Sequence, residues 1–315
     1  MELFAQQMVN GLSLGAFYAL IAVGYTVVYG IVQLINFAHG EIFMMGAFGA
    51  LSVALVIGGG GQVTALWLLP LMLVGGIAVA VVMALLTERL AYRPLRNAPR
   101  LAPLITAIGV SIFLQEAIRL GYGILPGFPL ARGNVQFPRI EGVTGEAFNL
   151  NGVLVQRATV FTWASLLVCA VFLFFFINFT RIGRAMRATS EDPDTARLMG
   201  INVDRIIMVA FAVGAALAAV AGVAWGLRYG NIDFRMGFLA GLKAFTAAVL
   251  GGIGNIWGAV VGGLVLGVVE TLATTYIPTQ FGEPAWKDVW AFALLIVVLV
   301  FRPQGLLGAR VVDRA

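Results

Sequence analysis

Few of the 315 residues have the side chains for covalent chemistry. The chain has one histidine, His39, and one cysteine, Cys169. An intrachain disulfide is excluded, and so is a metal site of the usual His/Cys type. Cys169 sits inside an apolar run and reads as a small buried hydrophobe. No G-x-x-x-x-G-K-[ST] loop, Ser/His/Asp set, H-E-x-x-H pair or haem-attachment motif occurs. No enzyme activity and no cofactor is therefore expected, and any nucleotide that energises the protein must be held by another subunit.

What remains are ionisable groups set in apolar sequence: Glu41, Glu116 with Arg119, Arg228, Lys243 and Glu270. A charge at the centre of a bilayer costs roughly 2.5–3.5 kcal/mol on insertion scales. Each such group needs a partner, water or a task. Glu116 and Arg119 are three apart and pair on one helical face, which argues against a proton relay. Glu270 has no evident local partner. It is the candidate functional intramembrane carboxylate, the alternative being a position facing a watery vestibule. His39 and Glu41 lie in INFAHGE (35–41), where Asn36 begins a break between two apolar runs. Both are expected at the cytoplasmic boundary, with His39 a hydrogen-bonded helix cap.

Two longer segments carry punctuation of their own. Residues 181–205, RIGRAMRATSEDPDTARLMGINVDR, offer Ser190 or Asp192 as a helix cap, Pro193 and Asp194 in the first turn, and Gly200 as a stop. The pattern predicts a short helix over 193–199. Such a helix is unstable alone and must rest on something: the bilayer headgroups or its own bundle, or a cytoplasmic partner, the reading we favour. Leu198, Met199 and Ile201 would make the apolar contacts, rimmed by Arg187, Asp194 and Arg197. In residues 242–270, Gly254, Gly258 and Gly262 recur every four residues, which lines one helical face where a second helix can approach closely. The GGIGN run ending at Asn255 favours a helix break, and broken helices expose dipole ends to a permeant molecule. Residues 36–40 loosely echo 255–258, as two distant repeats would.

Membrane-spanning helices must position all of these groups. The chain is 60% hydrophobic and 11% charged, whereas a soluble domain is nearer 25% charged, so it is an all-α polytopic membrane protein. Nucleic-acid binding is excluded, because the basic residues fall in loops between apolar runs. The strong runs are 8–30, 42–57, 66–86, 101–120, 158–177, 206–227, a short 238–252, 257–277 and 289–301. Eight to nine crossings are expected, some broken or re-entrant, in one transmembrane domain over 1–315. Arginines 89, 93, 96 and 100, then 181, 184, 187, 197 and 205, then 302, 310 and 314 mark three segments. The positive-inside rule turns these to the cytoplasm. The N-terminus then lies outside and the C-terminus inside. No Lys or Arg precedes Arg89, which also argues against a cleavable signal peptide. Residues 121–157, rich in Pro and Gly, read as a loop on the outer face.

The sequence closely resembles the permease subunits of ATP-binding-cassette importers for branched-chain amino acids, of the LivH type, nearly end to end. The segments that carry the resemblance are 10–41, ERLAYRPLR (88–96), ITAIGVSIFLQ (105–115), 183–205 and LKAFTAAVLGGIGNIWGAVVGGL (242–264). Residues 121–157 are the least alike. The resemblance implies an importer permease fold and a machine of five parts: this chain, a second related permease, two cytoplasmic ATPases and a periplasmic binding protein that delivers an amino acid, all at the bacterial inner membrane. It implies that 179–205 is the coupling loop, with Arg187, Asp192, Asp194, Ala196, Arg197, Leu198, Gly200 and Ile201 at the ATPase contact. Ala196 to Gly200 looks like the A-x-x-x-G core of such loops. Candidates for the translocation path are Asn36, His39, Glu41, Gln115, Glu116, Thr246, Asn255 and Glu270. The competing reading is an ion-coupled transporter or channel acting alone, with Glu41, Glu116 or Glu270 handling protons or sodium.

Overall fold

The computed structural model describes residues 2–33, 36–58, 65–96, 98–99, 101–150, 152–277 and 286–308. Residue 35 of the INFAHGE segment, Arg100, Arg310 and Arg314 lie outside them. In hydrocarbon every backbone N–H and C=O must bond within its own segment, so the apolar runs become helices. They are α1 (Glu2–Val32), α2 (His39–Gly58), α3 (Leu68–Thr87), α4 (Leu101–Gly121), α5 (Arg157–Phe179), α6 (Arg181–Glu191), α7 (Pro193–Leu198), α8 (Val203–Tyr229), α9 (Met236–Gly251), α10 (Ile256–Tyr276) and α11 (Lys287–Phe301).

Seven of these, α1 to α5, α8 and α10, are long and apolar enough to cross a membrane. Helices α9 and α11 have 16 and 15 residues. At 1.5 Å per residue each spans about 24 Å or less, short of a hydrocarbon core of about 30 Å. Met236 opens α9 from within the bundle, where Gly237 packs against Gly40 and Glu41 at the start of α2.

Helix α1 is the central post, apolar all round and buried along most of its length. Small residues let α10 lie directly against it: a Cβ added at Gly267 would stand 2.2 Å from the Gly15 nitrogen. In lipid, where apolar burial gives no drive between helices, such close backbone contact holds them together. The expected stripe of Gly254, Gly258 and Gly262 is only partly a helix face. Gly258 and Gly262 do pack on α9, while Gly254 has φ +93° and belongs to the turn before α10.

Residues 121–157 are more than a loop. Four short strands form, β1 (Val135–Gln136), β2 (Glu146–Leu150), β3 (Val153–Gln156) and β4 (Asn231–Ile232); β2 pairs with β3, and β1 with β4 from the α8–α9 connection. Sequence did not reveal them, because strands this short give no period and β1 finds its partner nearly a hundred residues away. The Gln6 side chain brackets Leu154, donating to its carbonyl at 3.2 Å and accepting from its N–H at 2.7 Å. The start of α1 therefore shares an end of the bundle with 121–157. At the opposite end, the Leu306 and Leu307 N–H groups donate to the Leu250 and Gly251 carbonyls at 2.8 and 2.9 Å. The chain's last described turn is thus strapped over the α9–α10 break, near Arg187 and Asn178, which line the same cavity as Leu307.

Candidate functional site

The segment after α5 is built by three successive caps. The Thr180 hydroxyl accepts from Gly183 N–H at 2.9 Å and opens α6, a helix that the sequence reading did not anticipate. Of the two candidate caps for α7, Asp192 serves. One carboxylate oxygen accepts from the N–H groups of Asp194 and Thr195 at 2.9 and 3.1 Å, and the other from the Thr195 hydroxyl at 2.5 Å. The Thr195 hydroxyl, then the two amides, hold the Asp192 carboxyl below its ordinary range. Helix α7 ends in a Schellman motif: Ile201 N–H donates to the Ala196 carbonyl and Gly200 N–H to that of Arg197, both at 3.0 Å, with Gly200 at φ +82°. Ala196 is buried at 3% exposure while Leu198 and Met199 stand out at 88% and 78%. Arg197 pairs with Asp194 at 2.7 Å. Arg187 does not join this rim. Its guanidinium turns back to the end of α5 and donates to the Asn178 side-chain oxygen at 3.2 Å.

From α7 a chain of polar contacts leads into the bundle. The Asn202 side chain caps α8 through Arg205 N–H at 3.0 Å. Asp204, in the first turn of α8, pairs with Arg93 at 2.6 Å and with Arg96, and Arg96 also pairs with the buried Glu88. Glu88 and Tyr92 bound a π-helical turn at the end of α3, a device frequent at functional positions. The Tyr92 hydroxyl donates to the Asn36 side-chain oxygen at 2.7 Å. Asn36 is the break that precedes α2.

The path candidates fall into separate groups. Asn36, His39, Glu41 and Gln115 come together. Glu41 is fully buried at 0% exposure, where the sequence placed it at a boundary, because the break lets α2 begin within the bundle, opposite the middle of α4. One Glu41 oxygen accepts from Ser111 Oγ at 2.9 Å and Gln115 Nε2 at 2.8 Å. The other has no hydrogen-bond partner among the described residues. His39 is not the side-chain cap expected of it. Its backbone N–H closes the turn, to the Asn36 carbonyl at 3.0 Å. Its ring packs edge-on to Tyr25, centroids 4.6 Å apart, and Nε2 has no hydrogen-bond partner among the described residues.

Glu270 has partners that its local sequence hides. Lys243 Nζ on α9 lies 2.7 Å from one carboxylate oxygen and 2.6 Å from Asp288 at the start of α11, and the Tyr18 hydroxyl donates to the other Glu270 oxygen at 3.1 Å. Lys243 was itself visible as an intramembrane charge; the rule that such charges pair would have joined the two. Glu116 pairs with Arg119 at 2.5 Å as expected, both side chains half-exposed. Thr246 is buried and donates to the Leu242 carbonyl of its own helix at 3.0 Å. Asn255 caps α10 through Gly258 N–H at 3.2 Å and donates to the Leu307 carbonyl at 2.9 Å. At the far end of the bundle a cavity of about 770 Å³ lies between residues 127–139, the end of α2 and Tyr229.

Known proteins match this sequence over half to nearly all of its length. The permease LivH of the high-affinity branched-chain amino acid transport system of Escherichia coli strain K12 is 45% identical over 314 residues, covering 99% of this chain and 97% of that one. BraD, the corresponding permease of Pseudomonas aeruginosa, is 45% identical over 322 residues, 99% and 98% of the two chains. The autoinducer 2 import permease LsrC of E. coli K12 / DH10B is 32% identical over 169 residues, about half of each chain. Among solved structures, a chain of PsaBC from Streptococcus pneumoniae in complex with Fab matches at TM-score 0.47 and 12% identity, covering 94% of this chain and 91% of that one, too loosely to carry any argument. The family described as the permease component of branched-chain amino acid transport systems matches residues 7–299, and this chain belongs to it.

Proposed function

We propose that this chain is one of two related permease subunits of an ATP-driven importer in a bacterial inner membrane. It carries branched-chain or other hydrophobic amino acids delivered by a periplasmic binding protein, and α7 couples it to a cytoplasmic ATPase. One observation carries the coupling: a short helix, capped at both ends from within the chain, holds Leu198 and Met199 in the open at 88% and 78% exposure. Lone exposed apolar residues are ordinary, but a six-residue helix rigidly built to present two of them fits a groove in a partner. The arginines around it favour the cytoplasmic side, and residues 121–157 with the N-terminus then face outward, where the cavity beneath them suits a docked binding protein. The Asp204–Arg96–Glu88 contacts and the Tyr92–Asn36 bond give α7 a continuous route to the break beside Glu41, along which closure of the ATPases would rock the bundle.

Uptake by the reconstituted complex tests this reading. Accumulation should require ATP, the ATPases and the binding protein, and Leu198→Asp should leave the chain inserted but abolish substrate-stimulated hydrolysis. The competing ion-coupled reading draws on Glu41 alone, since Glu116 and Glu270 are held by cations. Accumulation driven by an ion gradient, with this chain as the sole protein and lost in Glu41→Gln, would replace the proposal.

A further inference from the structure

Two cavities meet on the face of the bundle formed by α1, α5 and α10. One, of about 590 Å³, lies at the arginine-rich end, and its wall includes Asn178, Arg187, Ser190 and Asn255 beside Ile31 and Phe174. The other, of about 300 Å³, runs along the spans, bounded by apolar side chains such as Leu12, Trp163, Leu167 and Leu264. Trp257 belongs to both walls and joins them. The combined groove has a polar, cationic end at the membrane boundary and an apolar trough within the hydrocarbon. A water-soluble solute matches only the first and a second helix only the second. An amphiphile matches both.

Charge sets the headgroup. Arg187 donates to the Asn178 side-chain oxygen at 3.2 Å and to the Asn178 carbonyl at 3.4 Å, both neutral acceptors, and among the described residues no carboxylate forms an ion pair with it. Arg181 and Arg184, exposed on the same helix, add to the positive field. Basic pockets between spans on the cytoplasmic side suit anionic headgroups, and Trp257 stands in the first turn of α10, where that span begins, the end of a span at which Trp is enriched. We propose that this groove binds an anionic phospholipid of the inner leaflet, its phosphate at Arg187 and an acyl chain laid over Trp257 and Trp163. The inference goes beyond the transport reading and takes from it only which end of the bundle faces inward.

The two tryptophans make the site readable. The complete transporter would be placed in nanodiscs containing either phosphatidylglycerol or phosphatidylcholine with brominated acyl chains at equal mole fraction, bromine quenching indole fluorescence on contact. The signal of interest is that of the unaltered protein minus that of Trp163→Phe/Trp257→Phe, which cancels every other tryptophan. Quenching half-saturates at about five-fold less phosphatidylglycerol than phosphatidylcholine if one arginine selects the headgroup. Arg187→Gln removes the preference and Arg187→Lys keeps it. Equal quenching by both lipids would reduce the groove to unselective contact, and no quenching by either would show it covered by protein, such as the second permease; each result overturns the proposal. The two-lipid comparison on the unaltered protein decides the matter even if Arg187→Gln fails to assemble.

Discussion

Replacing Lys243 with methionine keeps the apolar stem and removes the one cation held between Glu270 and Asp288. The two acids are left in different positions. Asp288 is 34% exposed and turns to water, whereas Glu270 is 4% exposed and cannot. Tyr18 donates to Glu270 before and after the change, so it offsets nothing. An uncompensated buried charge costs about 3–5 kcal/mol when its partner is removed, and insertion scales price a lone charge at a span's centre at about 2.5–3.5 kcal/mol; the expected loss is about 3 kcal/mol. Glu270→Gln strands nothing, because Lys243 keeps Asp288 and the amide oxygen still accepts, and costs about 1 kcal/mol, the scale of one weakened hydrogen bond. The double variant Lys243→Met/Glu270→Gln should be more stable than Lys243→Met. Unfolding of the purified chain by sodium dodecyl sulfate in mixed micelles, followed by tryptophan fluorescence, measures all three. A double variant less stable than Lys243→Met, or a Lys243→Met chain as stable as the parent, would refute the view that this cluster is a structural tie among α1, α9, α10 and α11.

Gly267→Val sets a side chain against the Gly15 backbone, with no flexible atom to give way; the cost should be about 1–3 kcal/mol or more of overpacking, seen in the same micelle titration. Gly200→Val meets no neighbour among the described residues but forces a β-branched residue to φ +82°, so substrate-stimulated ATP hydrolysis should fall while insertion is normal; Gly200→Asn, which tolerates that conformation, should retain stimulation, and an equal loss in both would point away from the backbone. Asp192 binds its proton less readily in the folded loop than in a disordered one. Its cap therefore stabilises α7 above the ordinary aspartate range and is lost as pH falls through and below it. A spin label at Met199 should gain mobility on acidification of the parent, and be mobile at every pH in Asp192→Ala.

The local chemistry of the chain was readable from one dimension. Apolar runs in hydrocarbon leave the backbone only helices, so all nine runs became helices. The order Asp192-Pro193-Asp194 and the later Gly200 specify α7 within a residue, because capping involves atoms two or three positions apart. The Glu116–Arg119 pair was visible for the same reason. Tertiary structure alone decided the meaning of residues whose partners are far along the chain. Glu270 looked unpaired until α9 carried Lys243 to it, Glu41 looked peripheral until the Asn36 break let α2 start opposite Ser111 and Gln115, and Arg187 looked like part of the α7 rim until it turned back onto α5. Residues 121–157 read as loop because their strands are set by pairing and not by pattern. Helix capping is a contact within a turn, while burial and charge pairing depend on which helices meet, and in lipid small residues such as Gly15 and Gly267 decide that by letting two backbones touch.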